Sequence, residues 1–227
     1  MKSVGQAFQK LSSYSLSTST IQAHSLQYWR ERIYGYMLAA MLVLGLFALV
    51  PSVWMSLVVG YYGLAVFDVL AYLFVVGLFF LHGASYTLRA ILLLAIGLSV
   101  GIIVFIVTGD EGAGFFWIFM VPPLASMLLG LNWGSVFLAV NIAIVAGIGV
   151  LISLRSPLLP RLLEFSVESW VVYAVNFVAT NAIVTLPLGA LLNGLFVSVE
   201  HEKQAQKEVK SGEESYRRIV ETAEEGI

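Results

Sequence analysis

The chain has no cysteine, which excludes disulfides, thiolate metal sites and thiol nucleophiles. Charge is scarce too: Asp, Glu, Lys and Arg make up 11% of the 227 residues, against roughly 25% in soluble domains. Catalytic signatures are missing. There is no Gly-rich phosphate loop, no G-x-S-x-G elbow and no H-E-x-x-H helix. His24 and His82 have no His, Asp or Glu at ligand-like spacing, so no metal site and no catalytic residue is expected. The N-terminal segment holds Lys2 and Lys10 but no continuous apolar run with a small-residue cleavage site, so no cleaved secretory signal is expected. What is abundant is hydrocarbon: 59% of the chain is apolar, more than a soluble globule can hide.

The charges are also segregated. From Gly35 to Leu154 the only Asp, Glu, Lys or Arg residues are Asp68, Arg89, Asp110 and Glu111, which leaves stretches long enough to cross a hydrocarbon core of about 30 Å. Apolar runs and flanking charges predict an all-α, polytopic membrane bundle with six spans, near 33–51, 63–81, 88–108, 114–131, 135–154 and 170–197. Ten of the twelve Lys and Arg fall in the N-terminal segment, the second connection or the C-terminal segment, leaving only Arg155 and Arg161 on the other side. The positive-inside rule therefore predicts cytoplasmic termini. Trp29, Trp54, Trp117, Trp133 and Trp170 each lie near a proposed boundary, as interfacial indoles do. Pro51 to Tyr62 and Arg155 to Glu168 read as outer segments able to lie flat on the interface, and Asp110-Glu111-Gly112 as a tight outer turn. Gly97 and Gly101 form a small-xxx-small pair that suits packing between neighbouring helices, and Gly147 with Gly149 suit similar approach in the fifth span. No internal repeat of the kind found in many secondary transporters is visible.

Polar residues inside the spans are the candidates for function. Asp68 is the only ionisable residue deep in a span, and a carboxylate there must be protonated, paired or wetted. It reads either as a ligand or ion contact or as a hydrogen-bond partner locking two helices. Pro122 and Pro123 remove two backbone donors from the fourth span, so a kink is expected and the freed carbonyls must meet protein groups or water. Phe115, Phe116 and Trp117 stand beside that kink and suit an apolar pocket with a polar rim. In the sixth span Asn176, Thr180, Asn181 and Thr185 are expected to form a stripe facing the bundle, joined by Asn141 and Asn132, with Pro187 as a flex point below. The candidate ligand contacts are thus Asp68, Trp117, Asn141, Asn176, Thr180 and Asn181, each with interhelical hydrogen bonding or packing as its plainer explanation.

The sixth span runs without a break signal into Glu200 to Lys210. Apolar residues at Leu192, Leu195, Val199, Val209, Tyr216 and Val220, interrupted by polar ones, give a weak coiled-coil seam, and Gly212 is a position where the helix could end. His201-Glu202 continues with Lys203-Gln204-Ala205, which breaks the pattern of a histidine-kinase phosphoacceptor. Further on, Glu214, Tyr216, Arg217, Ile219, Val220, Glu221, Ala223, Glu225, Gly226 and Ile227 resemble the opening helix of a bacterial PAS domain. The membrane part resembles the six-span N-terminal region found ahead of PAS modules in bacterial sensor histidine kinases. That likeness lies in Tyr28 to Ile33, Pro51-Ser-Val, Asp68, Gly112-Ala-Gly with its aromatic run, Pro123, Leu129-Gly-Leu, and Asn176 to Asn181.

These resemblances imply a cytoplasmic segment over 1–32, a transmembrane sensor domain over 33–197, a juxtamembrane signalling helix over 198–212 and the start of a truncated PAS domain over 213–227. They imply an inner-membrane, homodimeric receptor with no catalysis in this chain. ATP and Mg²⁺ are expected only in a missing kinase domain, through which a response regulator would be the partner. The lipid bilayer is the immediate partner, and no nucleic acid is expected. A PAS-linked diguanylate cyclase would present the same tail. A small transporter or channel is the alternative of a different class, with Asp68, Pro122 and the Asn/Thr residues lining a path.

Overall fold

A computed structural model of the chain describes residues 26–81, 83–109, 112–155 and 166–224. The expectations for the N-terminal segment up to residue 25, for His82, for Asp110 and Glu111 and for 156–165 lie outside the described residues. Six helices occur among those described: α1 Leu26–Val59, α2 Tyr62–Phe80, α3 Tyr86–Thr108, α4 Gly114–Leu129, α5 Leu131–Ser153 and α6 Val167–Glu224. All but α4 are long and apolar enough to cross a membrane. With 16 residues α4 is about 24 Å long, against roughly 30 Å of hydrocarbon.

The helix ends follow local chemistry. Ser85 caps α3 by accepting a hydrogen bond from the Leu88 N–H at 3.4 Å. Gly130, at φ 99°, makes the reversal from α4 to α5 in a backbone region that a side chain would strain. Two sequence expectations need correction here. The segment 51–62 is not a separate outer element, because α1 continues through Pro51 to Val59. One lost N–H does not end a helix where lipid offers the other backbone groups no competing partner. Gly212 likewise does not end α6, which stays helical to Glu224.

Two compact units divide the chain, Met1–Gly189 and Ala190–Ile227. In the first, α1 packs on α2, α2 on α3, α3 on α4, α4 on α5, and α1 also on α4. One apolar cluster joins Tyr34 and Leu38 of α1 to Leu78 of α2, Leu93 and Leu94 of α3 and Leu128 of α4. A second joins Phe105 of α3, Phe115 and Ile118 of α4, Val145 and Ile148 of α5 and Trp170 and Phe177 of α6. Trp170, in the first turn of α6, is therefore 3% exposed and faces the bundle; its Nε1–H donates to the Val145 carbonyl at 3.3 Å. The outward faces carry large apolar residues such as Leu44, Phe47, Phe74, Phe80, Phe116 and Ile183, the surface a bilayer would cover.

Glycines set the closest helix approaches. A methyl group on Gly101 would lie 2.7 Å from Ile118 Cγ1 and 2.9 Å from the Ile118 backbone nitrogen, so this glycine lets α3 and α4 touch at backbone distance. Gly97 is less critical, with Val121 Cγ2 at 3.9 Å from such a methyl. In α5 the roles separate: Gly149 seats Trp170, whose Nε1 would be 2.8 Å from an added methyl, while Gly147 faces open space. The second unit, the part of α6 from Ala190 onward, presents Leu191, Leu195, Val199 and Val209 as exposed apolar positions, and His201 and Glu202 are exposed.

Candidate functional site

The carbonyl of Ile118 in α4 would receive the N–H of residue 122 in an unbroken helix, but residue 122 is proline and has none to give. Asn141 of α5 supplies the substitute: its Nδ2 donates to the Ile118 oxygen at 2.8 Å, in a site where Asn141 is 1% exposed. The proline pair and the asparagine thus form one unit, in which an amide from the next helix satisfies a backbone group that the sequence itself orphaned. Pro123 removes the donor from Phe119 in the same way. α4 nevertheless continues through both prolines to Leu129.

Asn181 and Thr185 of α6 are fully buried, and the Thr185 hydroxyl donates to Asn181 Oδ1 at 3.0 Å. Ser126 of α4, 1% exposed, adds a hydroxyl that sequence reasoning missed. Its Oγ lies 3.2 Å from where a methyl on Gly189 would stand, so the serine sits where α4 and α6 approach. Asn141 Oδ1, Asn181 Nδ2 and Ser126 Oγ make no hydrogen bond among the described residues. A buried polar atom without a partner costs about 1–3 kcal/mol. The interior between α4, α5 and α6 therefore contains hydrogen-bonding capacity that this arrangement of helices does not use.

The expected stripe on α6 is two stripes. Asn176 and Thr180 are exposed, with Asn176 Nδ2 turned back onto the Val172 carbonyl at 2.8 Å, while Asn181 and Thr185 face inward. The reason is angular. A step of four residues advances the helix by about 40°, but the single step from Thr180 to Asn181 turns it by about 100°. Asn132 is exposed as well and does not join the buried set.

Asp68 lies elsewhere, on α2 against α1. It is 8% exposed and its Oδ2 accepts a hydrogen bond from Ser52 Oγ at 2.6 Å. Ser52 follows Pro51 in α1, so this bond ties α2 to α1 beside the residue that lacks a donor. About one turn further along α2, Tyr72 repeats the link by donating its hydroxyl to the Leu42 carbonyl at 3.0 Å. An open apolar groove of about 470 Å³ runs along α1 from Leu49 to Leu57 with Val69 on its α2 side; neither Ser52 nor Asp68 lines it. Trp117 lines a cavity of about 20 Å³ with Met37, Leu93, Gly97 and Val121, room for about one water and walled by apolar groups. Pro187 lies inside α6 on an exposed face.

A second group invisible to sequence reasoning gathers where α1 and α3 begin. Arg89, 3% exposed in the first turn of α3, holds its guanidinium carbon 5.5 Å from the centre of the Tyr34 ring, and Tyr34 packs edge-on against Tyr86 at 6.0 Å. The Tyr86 hydroxyl donates to the carbonyl of Leu128 at 2.8 Å, near the last turn of α4. Arg89 was legible only as a charge that fixes orientation; its burial depends on aromatic residues contributed by other helices.

Helices of this length and apolarity, with polar side chains buried between them, define a membrane-embedded helical domain. A family model, MASE11, matches residues 28–195, and the chain belongs to that family of membrane-associated sensor domains. No curated protein and no solved structure matches the chain.

Proposed function

We propose that the chain is the membrane sensor and anchor region of a bacterial sensor histidine kinase, held in the inner membrane with both termini in the cytoplasm, and that it passes a stimulus through α6 to a PAS module. The observation that carries this reading is the MASE11 match over 28–195, followed by a helix, α6, that runs on to Glu224 through residues resembling a PAS opening. Six crossings count α4 as one, its shortness being accommodated by local thinning of the bilayer. The unused polar groups of Ser126, Asn141 and Asn181 supply the means of switching. A second arrangement of α4, α5 and α6 that paired them would lie close in free energy to this one, and a stimulus acts by its differential affinity for the two. The receptor works as a homodimer, this chain is not itself catalytic, and ATP, Mg²⁺ and the response regulator belong to the kinase domain.

The chain's lack of cysteine makes orientation directly testable. Single cysteines replacing Ser85 or Ser211 should resist an impermeant maleimide in intact spheroplasts and react after lysis, while one replacing Ser153 should react in both. Labelling of Ser211→Cys from outside would make the wiring impossible. The output is tested on the full-length receptor in membrane vesicles. Transfer of phosphate from ATP to a histidine is expected, whereas formation of a cyclic dinucleotide from GTP would replace the kinase by a cyclase.

A further inference from the structure

We propose that Trp29, Arg32 and Tyr36, at the beginning of α1, form a binding site for the headgroup of an anionic phospholipid in the leaflet where that helix starts. The site is independent of which output module the receptor carries. Arg32 is held from two sides: its guanidinium carbon lies 5.7 Å from the centre of the Trp29 ring and 5.6 Å from that of Tyr36, and its Nε–H donates to the Tyr36 hydroxyl at 3.0 Å. One edge of the guanidinium is thereby fixed against the aromatic rings, with the Tyr28 hydroxyl also near it, and its planar fork suits the paired hydrogen bonds of a phosphate. Arg32 donates to no carboxylate among the described residues; its partners there are tyrosines and a tryptophan.

Helical phase decides what this fork faces. At about 100° per residue, Trp29, Arg32, Tyr36, Val43, Phe47, Val50 and Trp54 fall within about 60° of one another around α1. The stripe is the exposed one: Trp29, Val43, Phe47, Val50 and Trp54 are 48%, 41%, 75%, 65% and 68% exposed. A bilayer covers such a face, so the arginine sits at the end of a lipid-facing surface and not over another helix. Depth agrees. The 22 residues from Arg32 to Trp54 rise about 33 Å, close to the roughly 30 Å of hydrocarbon, which sets Trp54 at one interface and the Arg32 fork among the phosphates of the other. The rings restrict the guanidinium before any lipid arrives, so less side-chain freedom is lost on binding than for an unrestrained lysine.

The detergent-purified chain is exposed to equal amounts of phosphatidylglycerol and phosphatidylcholine, and the lipid retained is measured by native mass spectrometry. Preferential retention of phosphatidylglycerol, by about fivefold, is expected. Arg32→Gln should abolish the preference, Arg32→Lys should keep only part of it, and Arg155→Gln, beyond the far end of α5, should leave it unchanged. Tyr36→Phe removes the clamp on Nε but keeps the ring, and about a twofold loss is expected; this arm holds the test if Arg32→Gln fails to fold by circular dichroism. Wild-type preference in Arg32→Gln or an undiminished Arg32→Lys overturns the proposal. So does displacement of phosphatidylglycerol by millimolar inorganic phosphate, which would make the site one for a free anion.

Discussion

Asn141 shows how a single side chain can belong to two helices. It sits in α5, yet its hydrogen bond at 2.8 Å completes the backbone of α4 at the carbonyl that Pro122 deprives of a partner. Asn141→Leu is expected to cost about 1–2 kcal/mol in reversible unfolding in detergent, because the Ile118 carbonyl would be left buried and unsatisfied. Pro122→Ala restores a backbone donor, so the same leucine placed in that background should cost less by about 1 kcal/mol. A double-mutant cycle measures that coupling, and strict additivity would show that the two residues act separately. The proline half of this pair was legible from sequence, and so was the need for some group to meet the freed carbonyl. Which group would do so was not, because the partner lies 19 residues further on in another helix and only the α4–α5 register brings them together. Asp68 is a parallel case: the need for a partner was legible, but Ser52 was hidden because the segment beyond Pro51 read as an outer element and not as more of α1.

Among the elements, α3 and α4 meet at backbone distance, and two glycines permit it, Gly101 of α3 and Gly114 of α4. An added methyl on Gly101 would stand 2.9 Å from a backbone nitrogen of α4, which cannot move aside as a flexible side chain would. Gly101→Ala should therefore destabilise the bundle by about 1–3 kcal/mol in thermal unfolding in detergent. Gly147→Ala, in open space on α5, should be neutral or slightly stabilising through helix propensity. If both substitutions behaved alike, close packing at Gly101 would not be what holds α3 to α4. The spacing of Gly97 and Gly101 announced a packing face but not its partner, and the structure assigns that face to α4 within the same chain. On α6 the element scale corrects the residue scale. Four polar residues close in sequence divide into an inward pair and an outward pair, since a helix separates neighbours by about 100°.

At the scale of the whole molecule, the family and the helices define a membrane-associated sensor domain, and the proposal that α6 carries the signal makes a prediction about phase. In the full-length receptor, one residue inserted between Val199 and Glu200 turns everything beyond it by about 100°, whereas seven residues turn it by only about 20°. Regulation of output should be lost or inverted by the single insertion and largely recovered by the sevenfold one; output indifferent to both would exclude rotation or tilt of α6 as the signal. The sequence by itself determined that the chain lives in a bilayer, roughly where α2 to α5 begin and end, and where its cations gather. Those follow from the transfer cost of polar groups into hydrocarbon, which acts on each segment separately and so can be read along the chain. Only the tertiary structure decided that Asn141 serves Pro122, that Ser52 holds Asp68, that Arg89 is buried against Tyr34, and that Asn181 faces inward while Asn176 faces out. Each of these depends on the register and rotation of one helix against another, and apolar faces that could pack in several phases do not specify it until backbones touch at glycine and polar atoms find, or fail to find, their partners.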